Sequence, residues 1–369
     1  MKMIVSGGGT GGHIYPALAV AQAIRARIPE AEILYVGTEK GLEREIVPRT
    51  GFDFRSIQVE GLNRSSLMKA SRSLARLPAS FGQAWEIVKK FQPDIVLGTG
   101  GYVSFPVVLS ATFIPCRTFI HEQNAFPGLA NRILARRVDC TMLTFAEAAQ
   151  NLNARQIRVT GLPVREEILS VRPEPARLSL KLREGTFTVI IFGGSRGALS
   201  INNAVCQALP RLRELPINMI WITGEGHFAD MQERVKQEID GNKTSLNLIV
   251  QPYIFNMAQA LAAADLAICR SGASTLSELA ILGLPALLIP YPYATDNHQE
   301  KNARALADKG AAWLVIDEFF DGDTLYQNLV KLMNNRDTLA AMRSNMLREA
   351  KPSALDDILS VILEDQQGV

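Results

Sequence analysis

Two stretches of this chain share one construction: a short apolar run ends in a glycine cluster, and a helix-patterned segment begins at once. In the first, Met3-Ile4-Val5 leads into Ser6-Gly7-Gly8-Gly9-Thr10-Gly11-Gly12-His13, after which Ile14, Leu18, Val20, Ala21 and Ile24 recur at helical spacing. In the second, Thr188–Phe192 leads into Gly193-Gly194-Ser195-Arg196-Gly197-Ala198, and a helix is predicted from about Ser200 to Leu209. Each reads as a buried strand, a tight turn and a helix N-terminus. Glycine permits positive φ and close approach of a ligand. The free N–H groups of such a loop and the helix behind it favour an anion. The spacing Gly7-x-Gly9-x-x-Gly12 also fits the dinucleotide fingerprint, and it fits tight strand–helix packing as well. That fingerprint wants an acid at the end of the second strand. Here Ile33-Leu34-Tyr35-Val36 runs into Gly37-Thr38-Glu39, so Glu39 comes late, in a loop.

Strand-like and helix-like runs alternate along the chain. In the first half the strands are Met3–Val5, Ile33–Val36, Ile95–Leu97, Arg117–His121 and Cys140–Leu143, with helical stretches such as Pro16–Arg27 and Leu42–Thr50 between them. The series restarts with Thr188–Phe192, Asn218–Thr223, Asn247–Gln251, Leu266–Cys269, Ala286–Pro290 and Ala312–Ile316. Alternation of this kind predicts α/β domains whose parallel sheets are covered on both faces. Two doubly wound, Rossmann-like halves are expected to face a cleft: residues 1–163 and residues 164–352, joined through the Pro- and charge-rich stretch from Gly161 to Pro175. A last helix, about 353–365, starts at Ser353 and carries an apolar stripe of Leu355, Ile358, Leu359 and Ile362 that needs a partner, and it is expected to pack across the joint, back on the first domain.

Net charge is +2 over 369 residues, so no overall field points to nucleic acid. No stretch of about 18 residues is apolar enough to predict a transmembrane helix, and a single Lys before a glycine loop does not read as a signal peptide. Cys116, Cys140, Cys206 and Cys269 stand apart in apolar surroundings, as buried free thiols of a reducing compartment would. From Gly61 to Lys90, basic residues Arg64, Lys69, Arg72, Arg76, Lys89 and Lys90 interleave with Leu67, Leu74, Leu77 and Phe81 against Glu86 alone. That is either a surface for anionic lipid or an ordinary amphipathic helix.

Several polar loops follow strands, where parallel sheets present ligands. One runs from Leu97 to Ser104 through Gly100-Gly101-Tyr102, and another is His121-Glu122-Gln123-Asn124. Arg270-Ser271-Gly272-Ala273-Ser274-Thr275 gathers N–H groups and hydroxyls at a helix start, suited to phosphate oxygens. One turn inside, Glu278 suits a ribose diol, or simply compensates the helix dipole. Asp296 to Gln299 offers amides and a carboxylate for sugar hydroxyls. His13 follows a phosphate-type loop at the top of a strand, where the positive helix end favours the neutral imidazole, a usable base. His121 and Glu122 are rival acid–base candidates or supporting partners. The sequence contains no G-x-x-x-x-G-K-[ST] loop and no metal-ligand cluster. Asp321-Gly322-Asp323 has the form of a metal-holding D-x-D, but a helix from Thr324 to Met333 capped by Asp323 accounts for it. No metal and no cofactor are expected.

Taken together, the loops at Gly8–His13, Leu97–Ser104, His121–Asn124, Gly193–Ala198 and Arg270–Glu278 resemble, in order, those of the MurG family of bacterial UDP-N-acetylglucosamine:lipid I N-acetylglucosaminyltransferases. The resemblance implies a two-domain GT-B enzyme, peripheral on the cytoplasmic face of the cell membrane. It would move N-acetylglucosamine, with inversion, from UDP-N-acetylglucosamine to the 4-hydroxyl of the muramyl sugar of lipid I, giving lipid II. By the family pattern the donor is held by Arg165, Ser195, Ile254, Ala273, Ser274, Thr275, Leu276, Ser277, Glu278 and Gln299. Thr10, Gly11, Gly12 and Asn124 of the first half join them. Gly100, Gly101 and Tyr102 would serve the lipid diphosphate, and Arg64, Lys69, Arg72 and Arg76 the anionic membrane. His13 is then the candidate base, with Glu122 behind it. Other readings stay open: a GT-B enzyme with another acceptor, an NAD-dependent oxidoreductase, and a sugar-nucleotide or membrane-binding module without catalysis.

Overall fold

The computed structural model describes residues 1–59, 67–194, 196–239 and 243–364, with the side chains of residues 67–77 outside that description. The chain forms two compact units. Unit 1 is Met1–Pro163 with the chain from Pro352 onward, and unit 2 is Val164–Lys351.

Unit 1 contains a parallel sheet of seven strands: β1 (Lys2–Gly7), β2 (Glu32–Thr38), β3 (Asp53–Ile57), β4 (Ile95–Gly100), β5 (Arg117–Glu122), β6 (Cys140–Leu143) and β7 (Ile157–Val159), in the order β3-β2-β1-β4-β5-β6-β7. Alternate side chains go to opposite faces. On one face Met3, Val5, Tyr35, Leu97 and Phe119 pack with Ile14, Leu18 and Ile24 of the helix Gly11–Arg27. On the other, Ile4, Val36, Val96 and Ile120 pack with Val88, Val107, Val108 and Leu134. The helix Ala354–Leu363 joins the first of these cores through Ile358, Leu359 and Ile362. Three such side chains stabilise its docking by roughly 5–8 kcal/mol. Arg117 donates to the carbonyls of Val361 and Ile362 at its last turn.

Unit 2 repeats the plan with β8 (Thr188–Phe192), β9 (Asn218–Ile222), β10 (Asn247–Gln251), β11 (Leu266–Cys269), β12 (Ala286–Leu288) and β13 (Ala312–Leu314), in the order β10-β9-β8-β11-β12-β13. In both sheets the winding direction reverses at one place, between β1 and β4 and between β8 and β11. Ligands of open parallel sheets bind beyond the carboxyl ends of strands at such reversals. Both sequence-predicted glycine loops lie there, after β1 and after β8.

The observed elements differ from the expected ones in places. β3 and β7 are absent from the predicted series, because both are edge strands with mostly exposed or half-buried residues. The first helix begins at Gly11 rather than near Pro16, so His13 lies in its first turn. The helix at 322–333 begins at Gly322, and its cap is Asp321, not Asp323: the Asp321 side chain accepts from Thr324 N at 2.8 Å, while Asp323 pairs with Arg211. Among the cysteines, all free, Cys140 and Cys269 are buried, but Cys116 and Cys206 only half so.

Candidate functional site

At the switch point of unit 1, β1 and β4 stay in register up to Ser6 and Gly98, then Gly7 pairs with Gly100. The slip leaves Thr99 as the extra residue of a bulge. Its side chain donates to the carbonyl of His13 at 2.7 Å, and its own carbonyl lies 3.0 Å from His13 Nδ1. Gly100 has φ +105°, and a Cβ there would sit 2.7 Å from that same nitrogen. The imidazole therefore rests on a backbone only glycine can supply. His13 is half-buried, and the helix it opens has neither a side-chain cap nor an acidic residue in its first turn. Its first N–H groups remain available to an anion.

The glycine loop itself is tethered by a carboxylate. Glu43 is fully buried and accepts from Gly9 N (3.2 Å), Thr38 N (2.9 Å) and Thr38 Oγ1 (2.6 Å). A fingerprint acid free to take a ribose is not found at the end of β2, which finishes at Thr38.

The carboxyl end of β5 carries the second group. His121, Glu122 and Gln123 are all buried. Glu122 accepts from Asn124 N and Nδ2 through Oε1, and from Gly128 N and Asn131 Nδ2 through Oε2. This carboxylate organises the loop after β5. Gln123 lies between the two histidines, with its Oε1 3.0 Å from His13 Nδ1 and its Nε2 3.1 Å from His121 Nδ1. The far nitrogen of His121 lies 2.7 Å from the Gly161 carbonyl. Burial pushes the His121 imidazole down to about 4, so the ring is neutral at physiological pH.

In unit 2 the helix Ala273–Leu282 starts directly after β11, behind an extended Gly272, again with no side-chain cap and no acid in its first turn. Ser274 is exposed at this end. Ser271 turns inward and donates to the Gln299 carbonyl, and the Gln299 side chain accepts from Tyr291 N at 3.0 Å. Ser277 donates back to the Ala273 carbonyl. Glu278 is buried and gripped by Arg165, which donates through Nε and Nη2 at 2.9 Å each. Burial raises the Glu278 carboxyl above its ordinary value, and Arg165 opposes that rise. A carboxylate has about four acceptor positions, and Arg165 occupies one on each oxygen. Asp296 and Asn297 both adopt φ just above +50°, a conformation that side chains other than glycine seldom hold and that gathers at functional loops. The next residue, His298, has its Nδ1 2.8 Å from the Thr295 carbonyl.

The predicted residues thus fall into two groups. Thr10, Gly11, Gly12, His13, Gly100, Gly101, Tyr102, Glu122 and Asn124 gather at the strand ends of unit 1. Arg165, Ala273, Ser274, Thr275, Leu276, Ser277, Glu278 and Gln299 surround one helix start in unit 2, with Ile254 half-buried in the loop after β10. Ser195 and Arg64 lie outside the described residues. Lys69, Arg72 and Arg76 lie on the helix Leu67–Phe91 with side chains outside the description. Among the described residues no helix is long and apolar enough to cross a membrane, and no cluster of His, Cys, Asp or Glu has the form of a metal site. Two participants escaped sequence reasoning: Glu43, hidden among the ordinary acids of a helix start, and Gln123, present in a quoted loop but given no role.

The family model of the glycosyltransferase family 28 N-terminal domain matches residues 3–143, and that of the family's C-terminal domain matches residues 188–358. The UDP-N-acetylglucosamine–N-acetylmuramyl-(pentapeptide) pyrophosphoryl-undecaprenol N-acetylglucosamine transferase of Desulforudis audaxviator is 47% identical over 364 residues, covering 98% of both chains. The protein of the same name from Moorella thermoacetica is 44% identical, covering 99% of both. The crystal structure of Acinetobacter baumannii MurG matches with TM-score 0.81 at 28% identity, over 98% of this chain and 99% of that one.

Proposed function

The chain belongs to glycosyltransferase family 28, and from that membership we propose that it is an N-acetylglucosaminyltransferase of lipid II synthesis. It transfers N-acetylglucosamine from UDP-N-acetylglucosamine to the 4-hydroxyl of the muramyl sugar of lipid I, inverting the anomeric carbon. The full-length identity to transferases of that name supports the substrates. The observation that carries the chemistry is His13, whose Nδ1 faces two acceptors while Nε2 has no hydrogen bond among the described residues.

In our reading, unit 2 holds the donor. The uncapped start of the helix Ala273–Leu282 takes the diphosphate through its N–H groups and the hydroxyls of Ser274 and Thr275, and Ser195 is assigned to the same donor. Such a site stabilises the charge that develops on the departing diphosphate without needing a metal. Glu278, oriented by Arg165, accepts from the ribose hydroxyls. Ile254 lies against the base, and Gln299 takes the sugar. Unit 1 supplies the acceptor site around Gly100, Gly101 and Tyr102, and Thr10, Gly11, Gly12 and Asn124 contribute to the donor. The acceptor hydroxyl is a weak acid and needs a base in line with the anomeric carbon. His13 Nε2 takes its proton as the hydroxyl oxygen bonds to that carbon, and the bond to the diphosphate oxygen breaks with its electron pair. Glu122 keeps the loop of Asn124 in shape. The basic stretch with Arg64, Lys69, Arg72 and Arg76 rests on the anionic cytoplasmic face of the membrane.

The test is transfer itself. Purified protein receives labelled UDP-N-acetylglucosamine and a lipid I analogue, with and without EDTA. A disaccharide product in both arms is expected. Donor binding without transfer to lipid I, but with transfer to another lipid or an aglycone, would replace the acceptor reading. No binding of the donor would remove the whole of it.

A further inference from the structure

We infer that Gln123, anchored by His121, is a positioning residue that keeps the His13 proton on Nδ1 and so leaves Nε2 as the base. The inference rests on the transferase reading above and adds to it a device for setting the tautomer.

The assignment follows from what each atom can do. A backbone carbonyl only accepts. The Gly161 carbonyl is 2.7 Å from His121 Nε2, so that nitrogen carries the hydrogen. His121 is buried and neutral, which makes its Nδ1 an acceptor. Gln123 Nε2, 3.1 Å from that nitrogen and 3.1 Å from the His121 carbonyl, must therefore be the amide's donor end. The amide oxygen is thereby turned to His13 Nδ1, at 3.0 Å. At the other end of the series the Thr99 carbonyl, also 3.0 Å from Nδ1, demands the same thing. Between two carbonyls, three side chains admit one arrangement while both rings are neutral: His121 with its hydrogen on Nε2, Gln123 with its oxygen toward His13, and His13 with its hydrogen on Nδ1. In water a histidine ring carries its neutral hydrogen mainly on Nε2, the wrong nitrogen for this purpose, and which nitrogen is protonated is set by the partner of the other.

The arrangement also serves the reaction. When Nε2 takes the acceptor proton the ring becomes cationic, and the single Nδ1–H that both acceptors share becomes a charge-assisted donor. Their contribution grows as the proton moves, which is what raises kcat rather than binding. Gln123 is itself buried, and its effect passes through His13.

The experiment compares full-length wild type, Gln123→Met and Gln123→Glu, each with 15N-labelled histidine. In wild type the His13 ring is expected to show a protonated Nδ1 and a bare Nε2. Gln123→Met, similar in size and without hydrogen bonds to give, leaves Nδ1 with the Thr99 carbonyl alone and is expected to raise the share of the Nε2–H form. Its kcat should fall about tenfold, the equivalent of one ordinary hydrogen bond, with KM for both substrates within about twofold of wild type. Gln123→Glu, as the neutral acid that its buried place favours, can donate its O–H to His121 Nδ1 and turn its carbonyl oxygen to His13 Nδ1, and is expected to recover the Nδ1–H signal and most of kcat relative to Met. A protonated Nε2 in the wild type would overturn the inference. So would an unchanged kcat in Gln123→Met, a change confined to KM, or a Glu variant no better than Met. The ring spectrum needs no substrate, so the relay can fail there while transfer by the wild type stands. Loss of transfer in the wild type would instead fail the transferase reading.

Discussion

Replacing Gly100 by alanine should damage catalysis far more than donor binding, and the structure sets the scale. Gly100 has φ +105°, which a side chain tolerates at a cost of about 1–2 kcal/mol. The new methyl would lie 2.7 Å from His13 Nδ1 and 2.8 Å from Cε1, so the ring must retreat by about 0.7 Å to reach ordinary contact. That movement strains the one Nδ1–H hydrogen bond shared by the Thr99 and Gln123 oxygens, each 3.0 Å away, worth about 1 kcal/mol. Unit 1 should therefore lose about 2–3 kcal/mol against urea. A base displaced by most of an ångström should cost roughly 10²-fold in kcat. KM for UDP-N-acetylglucosamine should stay within about twofold, because its proposed contacts lie mostly in unit 2. Steady-state transfer and urea denaturation read these quantities. Gly82→Ala in the same unit is the control: it lies in a helix with nothing within 4 Å of the added carbon, and should stabilise by about 0.5–1 kcal/mol. A Gly100→Ala enzyme with wild-type kcat would refute the placement of the base.

Glu43→Gln keeps one oxygen but turns its single NH2 toward either Gly9 N or Thr38 N, so that a donor faces a donor; a loss of about 2 kcal/mol in denaturation is expected, together with a lower kcat. Arg165→Ala leaves Glu278 buried without its countercharge, so KM for UDP-N-acetylglucosamine should rise about tenfold in initial-rate measurements. His121 is held at about 4 in the folded chain against 6.5 when unfolded, so the unfolded chain binds the extra proton between these values. Its contribution to stability is whole above about pH 6.5 and is lost as pH falls toward 4, by up to about 3 kcal/mol, which urea melts across that range will read and which His121→Leu should abolish. At the 322–333 helix, Asp321→Ala should cost about 1 kcal/mol by thermal melting, and Asp323→Ala less than about 0.5 kcal/mol, since its pairing with Arg211 is exposed.

The α/β architecture was legible because buried strands write themselves as apolar runs. Met3–Val5 and Thr188–Phe192 can be read without any tertiary knowledge. β3 and β7 were not legible for the same reason reversed: Asp53–Ile57 and Ile157–Val159 pair through backbone at sheet edges and bury little. The glycine loops announced where a ligand would approach, yet not why each glycine is needed; Gly100 is explained only by a ring that arrives from residue 13. Long-range polar partners were the least legible. Glu43 tethers Gly9 across 34 positions and Gln123 reaches His13 across 110, and no local pattern marks either. The D-x-D motif shows the limit at short range: two carboxylates flank one helix start, and the side-chain hydrogen bond that selects Asp321 over Asp323 as the cap exists only in the folded chain.

The most direct test of a reaction built on His13 is the single-turnover transfer rate of His13→Ala, measured beside calorimetric binding of UDP-N-acetylglucosamine. The expected result is a rate lower by about 10²–10⁴, the usual contribution of a general base, with donor affinity essentially unchanged. A near-normal rate would contradict the account, and so would a loss explained entirely by weaker donor binding.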